Sequence, residues 1–153
     1  ALAAANLVNL SVRSEFTYTV AFPNPVFQAV SLSRNFLPRE RLGLPAALVE
    51  ANDQRLSFYL TGPVVSSGPD QLRTLAGFFA TQTSPIPAYL PDEMRLIRAE
   101  CNLRVTAPNL TAALQDINAV RTQTAGDPWG VHAALPAYAG PVTADALLLE
   151  VYK

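Results

Sequence analysis

The sequence predicts a mainly α fold in which an αα-hairpin follows an irregular, partly β N-terminal half. Three observations lead there. Two helical apolar patterns run from about Pro91 to Val105 and from Leu110 to Thr124, joined by a short link that contains Pro108. Phe16 to Phe22 alternates with period two, as a half-buried strand does. Thirteen prolines mark the rest as rich in loops.

Taken in chain order, the strand places Phe16, Tyr18, Val20 and Phe22 on one face against Thr17, Thr19 and Ala21, and Pro23 and Pro25 end it. Pro45 to Ala51 reads as a short helix, with Leu44, Ala47, Leu48 and Ala51 on one side. Asn52-Asp53 supplies turn chemistry after it. A short strand is expected over Ser57–Leu60, a loop over Thr61–Asp70, and one more short helix over residues 71–80, where Leu72, Leu75, Phe78 and Phe79 are apolar.

The hairpin is the best-specified part. Pro91 suits the first helical position, where its missing N–H costs nothing, and Asp92 and Glu93 complement the positive end of the dipole. Met94, Ile97 and Cys101 then form the expected buried face. Pro108 stops continuation and Asn109 is placed to cap the second helix. Leu110, Ala113, Leu114, Ile117 and Val120 make one apolar stripe, and Gly126, Asp127 and Pro128 end it. Ile97 and Cys101 are expected to meet Leu114 and Ile117, with small residues such as Ala99 and Ala113 allowing close approach. A third helix starts at Thr143, and its stripe of Leu147, Leu148 and Val151 is expected to lack a partner.

Two blocks of residues carry a family resemblance. Glu93-Met94-Arg95-Leu96-Ile97-Arg98-Ala99-Glu100-Cys101, behind the proline-rich entry Pro85 to Pro91, is followed by Ala113-Leu114-Gln115-Asp116-Ile117-Asn118-Ala119-Val120-Arg121. In this order and spacing they resemble the hallmark helices of the SusD/RagB family. Asn24-Pro25-Val26-Phe27 resembles a turn of that family, and Asn52-Asp53-Gln54-Arg55-Leu56 resembles another, with Gln54 where the family commonly has proline. The resemblance implies a tetratricopeptide-like helical part over 85–153 and an irregular part over 1–84, together a single partial domain. The long connection through Trp129 and Tyr138 departs from a uniform repeat array.

Composition excludes some functions. A formal net charge of -1, with 50% hydrophobic and 15% charged residues, leaves no basic field for nucleic acid. The lone Cys101 has no partner for an internal disulfide and reads as core. No apolar run is long enough to cross a bilayer, and Ala1 to Val8 lacks the features of a signal peptide. The chain reads as a fragment of a longer protein.

No catalytic constellation stands out. His132 has no acidic or cysteine neighbours at metal-ligand spacing, Ser66-Ser67-Gly68 reads as a turn, and Asp92 and Glu93 serve the helix start. Glu100 and Asp116 are expected to pair with Arg104 or Arg121 as surface ions. Binding remains. Sugars present apolar faces and polar edges, so loop aromatics beside amide or guanidinium groups are the candidates. The richest cluster is Phe22, Asn24, Phe27, Gln28, Arg34, Asn35 and Phe36, and a second is Trp129, His132 and Tyr138. The ligand-binding residues expected are Phe22, Asn24, Phe27, Arg34, Asn35 and Phe36, with no catalytic residue, metal or cofactor.

The family resemblance implies a cell-surface lipoprotein of the outer membrane. It would capture oligosaccharides or other oligomeric nutrients and pass them to a TonB-dependent, SusC-like transporter, attached to the membrane only through a lipid anchor that lies outside this chain. A tetratricopeptide-like adaptor binding another protein along its helices, and a helical piece of a hydrolase, are the other two readings.

Overall fold

The computed structural model of the chain describes residues 3, 9–34, 36–125 and 127–153. They form two compact units, one of Tyr89–Lys153 with the described residues up to Arg13, the other of Ser14–Ala88. The described residues ahead of Ser14 group with the helices.

The second unit opens with a strand β1 (Glu15–Phe16) and a six-residue π-helical turn, Phe27–Leu32. Tight turns at Glu40–Gly43 and Ala46–Leu48 precede helix α1 (Gln54–Tyr59), strands β2 (Leu60–Ser67) and β3 (Asp70–Leu75), a turn at Gly77–Phe79 and strand β4 (Ile86–Pro87). β1 pairs antiparallel with β4, and β2 with β3. In the first unit helices α2 (Pro91–Arg104), α3 (Leu110–Arg121) and α4 (Ala144–Val151) follow.

The starts of the three longer helices are those the sequence predicts. Pro91 leads α2, Asn109 Oδ1 accepts the Ala112 N–H at 3.1 Å, and Thr143 Oγ1 accepts the Ala146 N–H at 3.3 Å. Contacts run in opposite senses along α2 and α3: Arg95 meets Gln123, Arg98 meets Asp116, and the Asn109 N–H reaches the Asn102 carbonyl. The two helices are therefore antiparallel.

Their buried faces differ from expectation on α2. The core consists of Ala99, Leu103, Ala113, Ile117, Leu147 and Val151, with Leu96, Leu114 and Leu148 packed against it. Ile97 and Cys101 are only half-buried and lie outside that cluster. A third helix explains the rotation. α4 packs on both α2 and α3, so α2 must present the stripe that serves two neighbours rather than one. The same packing corrects the expectation of an uncovered last helix, since Leu147 is 0% exposed and Val151 is buried.

Ion pairs lock the arrangement. Arg98 grips Asp116 through Nε at 2.8 Å and Nη2 at 2.5 Å, and that carboxylate raises the Arg98 pKa further above its ordinary value. Asp116 thus pairs with Arg98, not with Arg104 or Arg121. Arg121 instead donates through Nη1 to Glu150 Oε1 and through Nε to the Pro136 carbonyl at 3.0 Å. Glu100 accepts from the Tyr152 hydroxyl at 2.7 Å and from Arg104 Nε at 2.6 Å, and these two donors hold its carboxyl below the usual range.

The Ser14–Ala88 unit overturns most of what alternation and spacing predict for it. The strand expected over Phe16–Phe22 ends at Phe16, because Thr19 closes a local turn: its Oγ1 accepts the Phe22 N–H at 3.1 Å, and the Thr19 N–H donates to the Phe22 carbonyl at 3.0 Å. Helix Pro45–Ala51 shrinks to the Ala46–Leu48 turn, since Ala47 and Ala51 find nothing to pack on and are exposed. Ser57–Tyr59, expected as strand, completes α1, which Asp53 caps by accepting the Arg55 N–H at 2.9 Å.

The loop expected over Thr61–Asp70 and the helix expected over 71–80 are instead the β2–β3 hairpin and the short turn after it. Pro63 is tolerated because the register shifts between Thr61 and Val65, where no ladder bond is needed. Thr61–Ser67 is exposed throughout, so it has no buried face and no alternation to read. These two sheets correct the fold class: the chain is mixed α and β, not a mainly α tetratricopeptide-like fold.

Candidate functional site

The Asn24-Pro25-Val26-Phe27 turn is built around a side chain that is 0% exposed. Asn24 Oδ1 accepts the N–H groups of Val26 and Phe27, and its Nδ2 donates to the carbonyls of Phe78 at 3.0 Å and Ser84 at 2.9 Å. Its oxygen closes the local turn and its nitrogen ties that turn to distant carbonyls, so both donors and both acceptor sites are taken. Asn24→Ala should destabilise this unit by about 2 kcal/mol, because one buried and three part-buried backbone groups lose their partner. Denaturant unfolding checks this, and a variant as stable as the parent would remove Asn24 as the organising residue.

The other expected residues are differently placed. Phe22 and Phe36 are 79% and 71% exposed, Arg34 is exposed with φ 53°, and Phe27 is half-buried at the head of the π-helical turn. Asn35 lies outside the described residues. Among the described residues the ring contacts of this unit belong to Phe58, Tyr59, Phe78 and Phe79, not to Phe22, Phe27 or Phe36. Gly77 makes that cluster possible. Its φ is 56°, and a Cβ there would come within 2.5 Å of the Phe58 ring.

The second expected cluster is mainly structural. Trp129 is buried beneath the Arg13 guanidinium, which sits 4.3 Å from its ring centroid, an attraction of cation and π-face. Tyr138 packs on the helical core, with its N–H on Asn118 Oδ1 at 2.7 Å and its hydroxyl donating to the Pro141 carbonyl. His132 is half-buried, with Nδ1 3.2 Å from the Gly130 carbonyl.

Two clefts went unseen in the sequence. The larger, of about 500 Å³, lies in the helical unit and is lined by Ser11, Pro91, Arg95, Gln123 and Asp127 among others. Arg95 Nη1 donates to Asp92 Oδ1 at 3.0 Å and Gln123 Oε1 at 3.3 Å. Among the described residues its Nε and Nη2 edge has no partner, the same edge with which Arg98 holds Asp116. Asp92 offsets the Arg95 charge and Asp127 adds a negative one, so the cleft suits neutral hydroxyls better than an anion. Its residues come from distant stretches of chain, and no local pattern announces them.

The smaller cleft, of about 300 Å³, lies in the other unit and is lined by Glu40, Arg41, Asn52, Gln54, Leu56 and Arg73 among others. The charge-dense run Arg39-Glu40-Arg41, in a chain with few charges, is the sequence signal that could have found it. Among the described residues no group of three or more His, Cys, Asp or Glu side chains is gathered for a metal, and no helix is long and apolar enough to cross a membrane. Compared with protein-family models, with curated proteins and with solved structures, the chain gives no match.

Proposed function

We propose that this chain is part of a non-catalytic cell-surface protein of the SusD/RagB type, which captures oligosaccharides or other oligomeric nutrients and delivers them to a TonB-dependent outer-membrane transporter. The observation that carries the reading is how the residues shared with that family behave together. Both blocks of the resemblance are helices packed on each other, and their polar residues are partners: Arg98 with Asp116, Asn118 with the Tyr138 backbone, Arg121 with Pro136 and Glu150. Residues that act as one lock support a common scaffold better than a chance string would. Capture then falls to the loops, where Phe22 and Phe36 offer rings and Arg34 a guanidinium to solvent.

Calorimetric titration with a panel of oligosaccharides tests the proposal. Binding without turnover is expected, and Phe36→Ala should weaken it by about 1–3 kcal/mol if sugar stacking resembles that of bases on aromatic rings. Arg34→Ala should weaken it as well. Full affinity in both variants would move the site to the Arg95 cleft, and no binding across the panel would remove the reading.

A further inference from the structure

We propose that the cleft beside the Glu40–Gly43 turn binds an oxyanion, a carboxylate or sulfate group carried by an acidic glycan. Naming a glycan as the carrier rests on the function proposed above, whereas the anion site does not. Backbone pairing assembles the site. The Arg73 N–H donates to the Pro38 carbonyl at 2.9 Å and Arg39 bridges Leu72, so residues 38–41 run beside β3 and the turn brings Arg41 into the same lining as Arg73.

The lining holds two carboxylates, Glu40 and Asp53, and two guanidinium groups, Arg41 and Arg73, but one carboxylate is engaged from outside it. Asp53 is already held by Arg55 through Nε at 3.0 Å and Nη2 at 2.6 Å, so it contributes little net field. Arg39 is likewise taken by Asp70 at 3.1 Å. That leaves the guanidinium groups of Arg41 and Arg73 against the single carboxylate of Glu40, and among the described residues neither arginine forms an ion pair. Among the described residues Arg41 Nε is buried with no hydrogen-bond acceptor, and the Arg73 side chain has only a long 3.4 Å bond from Nε to the Thr61 carbonyl. Two guanidinium groups without a carboxylate partner repel each other across the cleft, and an oxyanion between them would neutralise that charge and accept from their outer N–H groups. Arg41 in the lining and Leu42 after it hold φ of 61° and 54°, left-handed values for non-glycine residues, and strain of this kind often accompanies a binding role.

The test uses the whole chain at constant ionic strength, titrated with sodium sulfate and sodium glucuronate against chloride, then with a sulfated oligosaccharide and its desulfated counterpart. Saturable sulfate or glucuronate binding is expected. Arg41→Gln and Arg73→Gln should each weaken it at least tenfold, and Glu40→Gln should tighten it several-fold by removing a repelling charge. The tightening is the readout that a merely structural role would not produce, and it stands even if an arginine variant folds poorly. No effect beyond chloride, or affinities unchanged in all three variants, overturns the site. Equal binding of the sulfated and desulfated oligosaccharides, unaltered by the arginine changes, overturns it while leaving glycan capture intact. Binding of the small anions without any oligosaccharide keeps the site and removes the glycan carrier.

Discussion

Replacing Glu150 by alanine is expected to destabilise the helical unit by about 3–5 kcal/mol, because it leaves a buried guanidinium without its neutralising carboxylate. Side-chain exposure is 4% for Glu150 and 10% for Arg121, so little water can take the carboxylate's place. Glu150 also holds Lys153 through Oε2 at 3.0 Å, and Arg121 carries the Pro136 carbonyl, so the pair joins the end of α3, the connection after it and α4. The double change Arg121→Met with Glu150→Leu should cost much less than Glu150→Ala alone, since an apolar pair avoids the desolvation that the ions suffer. Glu100→Ala, which breaks a largely exposed pair with Arg104, should also cost far less. Chemical denaturation of the three variants decides it. If the losses from Glu150→Ala and Glu100→Ala are alike, the buried pair is not what joins these elements.

Ile117→Ala should cost about 2–5 kcal/mol through lost transfer energy and the cavity left behind. Ile117 is 1% exposed and sits among Ala99, Ala113 and Leu147, where neighbouring alanines have no side chain long enough to fill the space. Exposed Gln115 on the same helix should tolerate alanine within about 0.5 kcal/mol. Equal shifts of the unfolding midpoint for the two variants would show that the buried face of α3 is misassigned. Ile97→Ala on α2 should fall between them, because Ile97 is half-buried and outside the central cluster.

What the sequence determined by itself was local. Caps and stops act within a turn or two, so Pro91, Asn109 and Thr143 mark their helices without help from the rest of the chain. The stripe on α3 was legible for the same reason: five apolar residues at helical spacing admit only one inward face. The face of α2 was not legible, because it is shared between two neighbours, and only α4, more than twenty residues beyond α3, selects Ala99 and Leu103 over Ile97 and Cys101. The β2–β3 hairpin was hidden because an exposed strand carries no apolar alternation, and Leu72 and Leu75 mimic helical spacing until a partner strand claims their backbone. Tertiary structure alone likewise turned Asn24 from a candidate ligand contact into a buried tie between remote carbonyls, and it gathered Arg41 and Arg73 into one cleft. Hydrogen-bond partners fifty or more residues away, and charges left unpaired only once the chain has folded, leave no mark on spacing or composition.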